Sequence, residues 1–292
     1  MLNITMSRRW HSDAAQSVCA EVGTDDPVAA IEVLAAQLVE DSGLARPFRN
    51  LKRMASHQDI FDIEVIPMSD AGRLIGTAKG LLVQVNAAHP ETKRRFTTCH
   101  EIGHTLFPSY DPHRPSRVDH DTGLYAEDDE EEFLCDVAAA ELLMPTAEFR
   151  RELAWHKLHV WSIDKLAKEF GASLEATAIK CVRVASEPVA LIVWDSAMAS
   201  TSGSARGTMP PELRVRYAIY GSGFGSYRFA HGSAALPASL AVAAYQVEGT
   251  KNDRELLVTA HGPVTFLTES LAFPYIVGNA WHKKVLTFVF GH

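Results

Sequence analysis

The residues best suited to carry out chemistry are two histidines and a glutamate in the stretch 97–107. His100, Glu101 and His104 form the pattern H-E-x-x-H. On a helix, residues four apart lie on one face, so both imidazoles can bind one ion, and imidazole is a common zinc ligand. Glu101 can then reach a water molecule at the ion and act as a general base. The alternative is a surface helix that carries the two histidines by chance.

Local signals predict that this stretch is helical. Pro90 suits the first turn of a helix, where its missing N–H costs nothing. Glu91 suits the positive end of the helix dipole, and Pro108 ends the helix. The H-E-x-x-H pattern is therefore expected on a helix that presents both histidines on one side.

The third ligand must come from elsewhere, because a catalytic zinc site uses three protein ligands and a water. The acidic run 127–132 opens a second predicted helix, over residues 133–144, and offers Glu130, Glu131 and Glu132. Helical periodicity does not choose among them, because that helix is apolar almost all round.

A second argument selects one of the three. A ligating histidine usually donates its other N–H to a carboxylate or carbonyl. Only Glu132 is followed four residues later by an acid, Asp136. We therefore predict that His100, His104 and Glu132 bind the metal and that Asp136 lies behind one histidine. The alternative for Glu132 is a solvated position that only complements the helix dipole.

A predicted strand, Gly80–Asn86, runs directly into the metal helix. An extended peptide can add to an exposed strand edge through main-chain hydrogen bonds, so this strand is a candidate for substrate binding. An ordinary sheet strand is an equally open interpretation. A loop over 108–124 also contains side chains that could donate to an oxyanion, and the sequence does not choose among them. The strand residues are Leu81, Leu82, Val83, Gln84 and Val85, and the loop candidates are Tyr110, His113, His120 and Tyr125.

Composition excludes several classes of protein. The chain has 292 residues, of which 47% are hydrophobic and 22% charged, as in a globular protein with a sizeable core. It has no membrane-length apolar run and no apolar segment of a secretory signal near its N-terminus. The four cysteines are scattered, which fits a reducing cytoplasm. Residues 1–145 carry 13 basic and 24 acidic residues, and residues 146–292 carry 15 and 12, so a strongly basic nucleic-acid surface is absent.

The chain divides into four predicted segments. Residues 1–25 are expected to be a flexible tail, and residues 26–145 a metallopeptidase domain. Residues 146–195 contain a helix-turn-helix-like segment, with Gly171 at its turn, followed by a connecting strand. Residues 196–292 alternate like strands and predict a separate α+β domain.

The helix-turn-helix-like segment has two interpretations. A DNA-binding segment would place Glu175, Thr177 and Lys180 near bases. Residues 146–186 carry 7 basic and 5 acidic residues, however, which is a weak charge for a tight DNA binder. A packing or docking unit is therefore favoured over direct DNA contact.

Three stretches together resemble the ImmA/IrrE family of metallopeptidases. They are Gly80–Asn86, the segment from Arg95 to His104, and the segment from Glu132 to Pro145 that ends in A-A-E-L-L-M-P. The resemblance implies a zincin-like fold and a ligand role for Glu132, whose spacing from Asp136 is also similar to the E-x-x-x-D of thermolysin-like enzymes. It further implies a helix-turn-helix-like segment and a GAF-like C-terminal domain, as in longer members.

The family consists of cytoplasmic bacterial proteins that cleave helix-turn-helix repressors of the XRE type and so switch on stress-response or mobile-element genes. The combined prediction is a zinc-dependent endopeptidase that acts on such a repressor, with Glu101 as its base. Manganese or iron can occupy the same ligands. Residues 196–292 are expected to bind a small-molecule or protein effector. The alternative is a DNA-binding or ligand-sensing regulator with a vestigial metal site.

Overall fold

The computed structural model describes residues 10–43, 50–110, 116–118, 130–196, 212–247, 249–277 and 280–291. Helices and strands are mixed along the chain, so the predicted α+β class is confirmed. The chain divides into two compact units. The first unit contains residues 6–149 and 167–173, and the second contains residues 150–166 and 174–292. None of the helices in the described ranges is both long and apolar enough to cross a bilayer.

The first unit has a small mixed sheet with helices. Strand β3 lies inside the sheet, between β1 on one side and β2 on the other, and β2 also pairs with β4. β1 and β3 are parallel, whereas β2 is antiparallel to both of its neighbours. The elements are α1 (Asp13–Val22), α2 (Pro27–Asp41), α3 (Leu51–Ser56), β1 (Ile60–Ile66), β2 (Gly72–Thr77), β3 (Gly80–Asn86), α4 (Glu91–His104), β4 (Ser116–Val118) and α5 (Glu130–Leu143).

The expected flexible tail over residues 1–25 is wrong for the part that forms α1. Ser12 accepts a hydrogen bond from the Ala15 N–H and so caps this helix, and Gly23 ends it in the left-handed conformation. Ala14, Ala15 and Val18 are buried, and α1 packs against α2 and α5. This helix was not predicted because its apolar face consists mostly of small alanines.

The second unit begins with helices and ends with an antiparallel sheet. Its elements are α6 (Thr146–His156), α7 (Val160–Phe170), α8 (Leu174–Val184), β5 (Val189–Asp195), β6 (Arg214–Tyr220), α9 (Leu240–Val247), β7 (Thr250–Thr259), β8 (Gly262–Val277) and β9 (Ala280–Phe290). The first residues of α6 and the last residues of α7 are counted with the first unit.

The sheet of the second unit has the strand order β6-β5-β9-β8-β7. All seven residues of β5 are buried, and one face of the sheet packs with α9 around Trp194, Phe266 and Ala244. β5 was predicted to be a connecting strand before residue 196, but it lies inside this sheet. The reason is its unbroken apolar run, which is typical of a strand covered on both faces.

Candidate metal centre

Helix α4 places both histidines of the H-E-x-x-H pattern in the core of the first unit. Every residue from Thr97 to His104 is buried. The two imidazole rings meet edge to face, with their centroids 5.1 Å apart. This proximity follows from their four-residue spacing on a helix.

Small residues let helix α5 approach α4 closely. A Cβ atom at Gly103 would lie 3.3 Å from the Cβ of Ala138 and 3.3 Å from the carbonyl oxygen of Cys135. A larger side chain at position 103 would therefore push the two helices apart. The close crossing brings the acidic first turn of α5 to the histidines.

Four contacts link the histidines to carboxylates of α5. His100 Nδ1 lies 2.8 Å from Oδ1 of Asp136, and His100 Nε2 lies 3.0 Å from Oε2 of Glu132. His104 Nδ1 lies 3.0 Å from Oε1 of Glu131, and His104 Nε2 lies 3.6 Å from Oε1 of Glu132. The Glu132 carboxylate thus faces the Nε2 atoms of both histidines, while a different acid holds each Nδ1 atom.

These contacts determine the charge of His100. Burial lowers the pKa of the imidazole, but hydrogen bonds with Asp136 and Glu132 outweigh that effect and raise it to about 10. The cluster contains more carboxylates than histidines, so a positive charge in addition to that of His100 would be stabilised here.

Glu101 is buried, and neither of its carboxylate oxygens has a hydrogen-bond partner among the described residues. Burial, together with the negative charge of Glu132, raises its pKa to about 8, although His100 acts in the opposite direction. A buried, unpaired carboxylate is costly, and such groups are common where proton transfer occurs. Glu101 is therefore the acid–base candidate of the cluster.

Cys135 also lies near the histidines. Its sulfur and one ring nitrogen from each of His100 and His104 lie within 4.8 Å of one another. The thiolate is the form that binds metals. Burial and the nearby Glu132, Glu131 and Glu101 raise the pKa of Cys135 well above its ordinary value, so the thiol stays protonated. The Glu132 carboxylate lies 3.0 and 3.6 Å from the two Nε2 atoms, and it is the better third donor.

The strand predicted to bind the substrate is not an edge strand of its sheet. Leu81–Val85 pairs with β1 on one side and with β2 on the other, so its main-chain groups are already bonded. The expectation that Leu81, Leu82, Val83, Gln84 and Val85 receive a substrate strand is therefore wrong. This prediction failed because β2, which begins at a glycine after a polar turn, was not recognised as a strand. Among the oxyanion candidates, His113, His120 and Tyr125 lie outside the described residues, and Tyr110 follows the turn after α4.

The helix-turn-helix-like segment does not present its second helix to DNA. Thr177 and Lys180 are buried. Glu175 accepts hydrogen bonds from Tyr217 and Lys284 of the sheet in the same unit. All three residues that would contact bases in a DNA-binding segment are thus buried or hydrogen-bonded within the protein.

Two residues of the cluster were not placed from the sequence: Glu131 was considered only as an alternative metal ligand, and Gly72 was not identified. Glu131 contacts His104, and its only signal was the acidic run itself. Gly72 lies so close to α4 that a Cβ there would be 2.3 Å from Cγ2 of Thr97 and 2.9 Å from Oε1 of Glu101. Nothing in the local sequence distinguishes this glycine from one in an ordinary turn.

Comparison with solved structures shows the fold. No curated protein matches the chain. Solved structures with a similar fold include a Mycobacterium tuberculosis transcriptional regulator, with a TM-score of 0.57 and 14% sequence identity, covering 89% of this chain and 76% of that chain. At this identity the likeness shows the fold alone.

The family comparison covers the cluster itself. Residues 48–182 match the IrrE N-terminal-like domain of the peptidase M78 family. The match contains α4 and α5, and therefore all the histidines and carboxylates described above. The resemblance to the ImmA/IrrE family is confirmed for these residues. This part of the chain is therefore similar to the IrrE N-terminal-like domain of the peptidase M78 family.

Proposed function

We propose that the chain is a metal-dependent endopeptidase in which His100, His104 and Glu132 hold one divalent ion. The observation that carries the proposal is the position of the Glu132 carboxylate, whose two oxygens face the Nε2 atoms of both histidines at 3.0 and 3.6 Å. Two histidines and one carboxylate form a common catalytic zinc set.

The distances fit such an ion. Zinc binds nitrogen and oxygen at about 2.0–2.1 Å in tetrahedral geometry, which separates neighbouring donors by about 3.3 Å. The distances from the Glu132 carboxylate oxygens to the Nε2 atoms of His100 and His104 are 3.0 and 3.6 Å, one below and one above this value. Asp136 and Glu131 accept from the Nδ1 atoms, which fixes the tautomer that leaves each Nε2 available to a metal. Zinc suits these donors, and manganese or iron can also use them.

Glu101 supplies the proton transfer. A bound ion would polarise the scissile carbonyl and lower the pKa of water. Glu101 takes the proton of the attacking water and delivers it to the leaving amine. Its buried oxygens lack a protein partner among the described residues, so they can accept that proton without breaking a hydrogen bond.

The proposed substrate is a protein, in keeping with the family. We extend the proposal to helix-turn-helix repressors of the XRE type, whose cleavage would relieve repression of stress-response or mobile-element genes. The packing of Glu175, Thr177 and Lys180 supports a protein target over DNA, because the chain's own helix-turn-helix-like segment cannot contact bases in this arrangement. A GAF-like effector-binding role for residues 196–292 is part of the same proposal.

The test is cleavage of purified XRE-type repressors from the same genome by the zinc-loaded protein, with and without a chelator. Glu101→Gln keeps the side-chain size and should keep both the fold and the metal. Because a positioned general base contributes about 10²- to 10⁴-fold, the variant should lose that factor in rate. Chelator-resistant cleavage, or full activity of Glu101→Gln, would refute the mechanism.

A further inference from the structure

Three consecutive acids at the start of α5 have three different partners. Glu132 faces the Nε2 atoms of both histidines, and Glu131 faces Nδ1 of His104. Successive residues on a helix point about 100° apart, so Glu130 points away from this pair. It is nevertheless buried.

Glu130 is held by the main chain just before α1. Its Oε2 atom accepts a hydrogen bond from the His11 N–H at 2.9 Å and another from the Ser12 N–H at 2.8 Å. Ser12 in turn caps α1 through the Ala15 N–H. The Glu130 carboxylate therefore lies beside the N-terminus of α1 while it belongs to the N-terminal turn of α5, and both helix dipoles stabilise its charge.

The segment that holds Glu130 is itself firmly placed. α1 buries Ala14, Ala15 and Val18, and it packs against α2 and α5. The ring of Trp10 contacts the ring of Phe133, with centroids 5.9 Å apart. The two N–H donors thus contact Glu130, and Trp10 contacts Phe133, the residue that follows the proposed ligand Glu132.

We propose that residues 10–12 are a positioning element of the metal centre, which acts through Glu130 to hold Glu131 and Glu132 against the histidines. This inference rests on the proposed function. The three adjacent carboxylates repel one another, and the first turn of a helix frays readily. The two N–H donors neutralise part of that repulsion and fix the turn at its first residue. The positioning element lies before residue 48, so it is outside the segment that matches the family.

The variants are chosen to separate positioning from general stability. Glu130→Ala removes the acceptor of both N–H groups. Glu130→Gln is the conservative variant that should keep the contact, because one side-chain oxygen of residue 130 accepts the hydrogen bonds from both N–H groups. Trp10→Ala removes the ring contact with Phe133. Asp13→Ala is the matched control, since it removes an exposed acid from the first turn of α1 without touching Glu130.

The measurement is the affinity of the full-length protein for zinc by chelator competition, together with the visible absorption spectrum of the cobalt-substituted protein. Glu130→Ala should weaken metal binding by about 10- to 100-fold, the range found for residues that support metal ligands, and should alter the cobalt spectrum. Trp10→Ala should act in the same direction. Glu130→Gln and Asp13→Ala should resemble the wild type.

Each outcome decides one of the two hypotheses. If the wild-type protein binds no metal, the proposed function fails. If the wild type binds metal and a folded Glu130→Ala binds it equally well with an unchanged cobalt spectrum, the positioning role fails. If Glu130→Ala does not fold, as judged by circular dichroism, Trp10→Ala provides the same test, and wild-type affinity in that variant would overturn the inference.

Discussion

Gly72 and Glu101 approach so closely that a Cβ at position 72 would lie 2.9 Å from Oε1 of Glu101 and 2.3 Å from Cγ2 of Thr97. Gly72 pairs with both β3 and β4, so the strand cannot easily retreat. The absence of a side chain here allows the proposed base to lie against the sheet.

Gly72→Ala should therefore displace Glu101 while leaving the metal ligands in place. A misplacement of about 1 Å can cost about 100-fold in rate, so we expect a loss of that order in kcat with unchanged zinc stoichiometry. Gly76→Ala is the matched control, because Gly76 is an exposed glycine of the same strand. Peptidase assays and metal analysis of both variants give the answer, and a fully active Gly72→Ala would contradict the close-approach argument.

The carboxylates of α5 should differ in their effect on metal binding. Glu132→Ala should abolish stoichiometric zinc binding, because it removes a direct donor. Asp136→Asn and Glu131→Gln should weaken binding by about 10- to 100-fold, because each supports one histidine from behind. Metal analysis and chelator competition distinguish the two classes. Full zinc content in Glu132→Ala would overturn the ligand assignment.

Cys135 should be dispensable for metal binding. Its thiol is buried, and its raised pKa keeps it in the protonated form that binds metals poorly. Cys135→Ala should therefore keep wild-type zinc stoichiometry. A loss of zinc in this variant, with Glu132→Ala unaffected, would assign the third donor to the thiol instead.

Thiol chemistry gives an independent check on the burial of two other cysteines, one in each unit. Burial raises the pKa of Cys99 to about 12 and that of Cys181 to about 12. Since the reactive thiolate forms only as the pH approaches the pKa, neither residue should be alkylated at pH 8 in the folded protein. Iodoacetamide labelling followed by mass spectrometry should modify both only after denaturation. Rapid labelling of either residue in the native state would contradict its buried position.

The ion pair between Glu175 and Lys284 should stabilise the second unit. Lys284 Nζ lies 2.7 Å from Oε2 of Glu175, and both side chains are largely shielded from solvent. Among the described residues, Glu175→Ala would leave the ammonium group with its contact to the Tyr275 ring, and breaking a buried pair costs about 3–5 kcal/mol at full burial. We expect a loss of about 2–3 kcal/mol here, because some exposure remains.

The control for that change is Glu212→Ala. It breaks an exposed pair with Arg214, which should cost less than about 1 kcal/mol. Chemical denaturation followed by circular dichroism measures both variants. Equal stability of Glu175→Ala and Glu212→Ala would show that the buried pair contributes nothing.

The sequence was informative where chemistry depends on local spacing. The four-residue interval put His100 and His104 on one helix face, and the same interval led to Glu132 and Asp136, the two acids that contact His100. The spacing of residues within one helix does not show where that helix crosses another. The contact of Glu131 with His104 depends on how α5 crosses α4, so it could not be predicted.

Long-range pairing explains the other failures. β3 has the apolar pattern of an edge strand as well as that of an interior one, and only the pairing of β2 shows which it is. The bond between Glu130 and the main chain of His11 joins residues 119 apart in the chain. No local pattern signals such a contact, and the small alanines of α1 hid the helix that makes it.

The interior position of β3 has a consequence for how the first unit moves. Its amides are bonded on both sides, and its residues Val83 and Val85 are almost fully shielded from solvent. Amide hydrogen exchange in β3 should therefore require opening of the whole unit. The part of the sheet that lies against the proposed base Glu101 would then be the most persistent part of the metal centre.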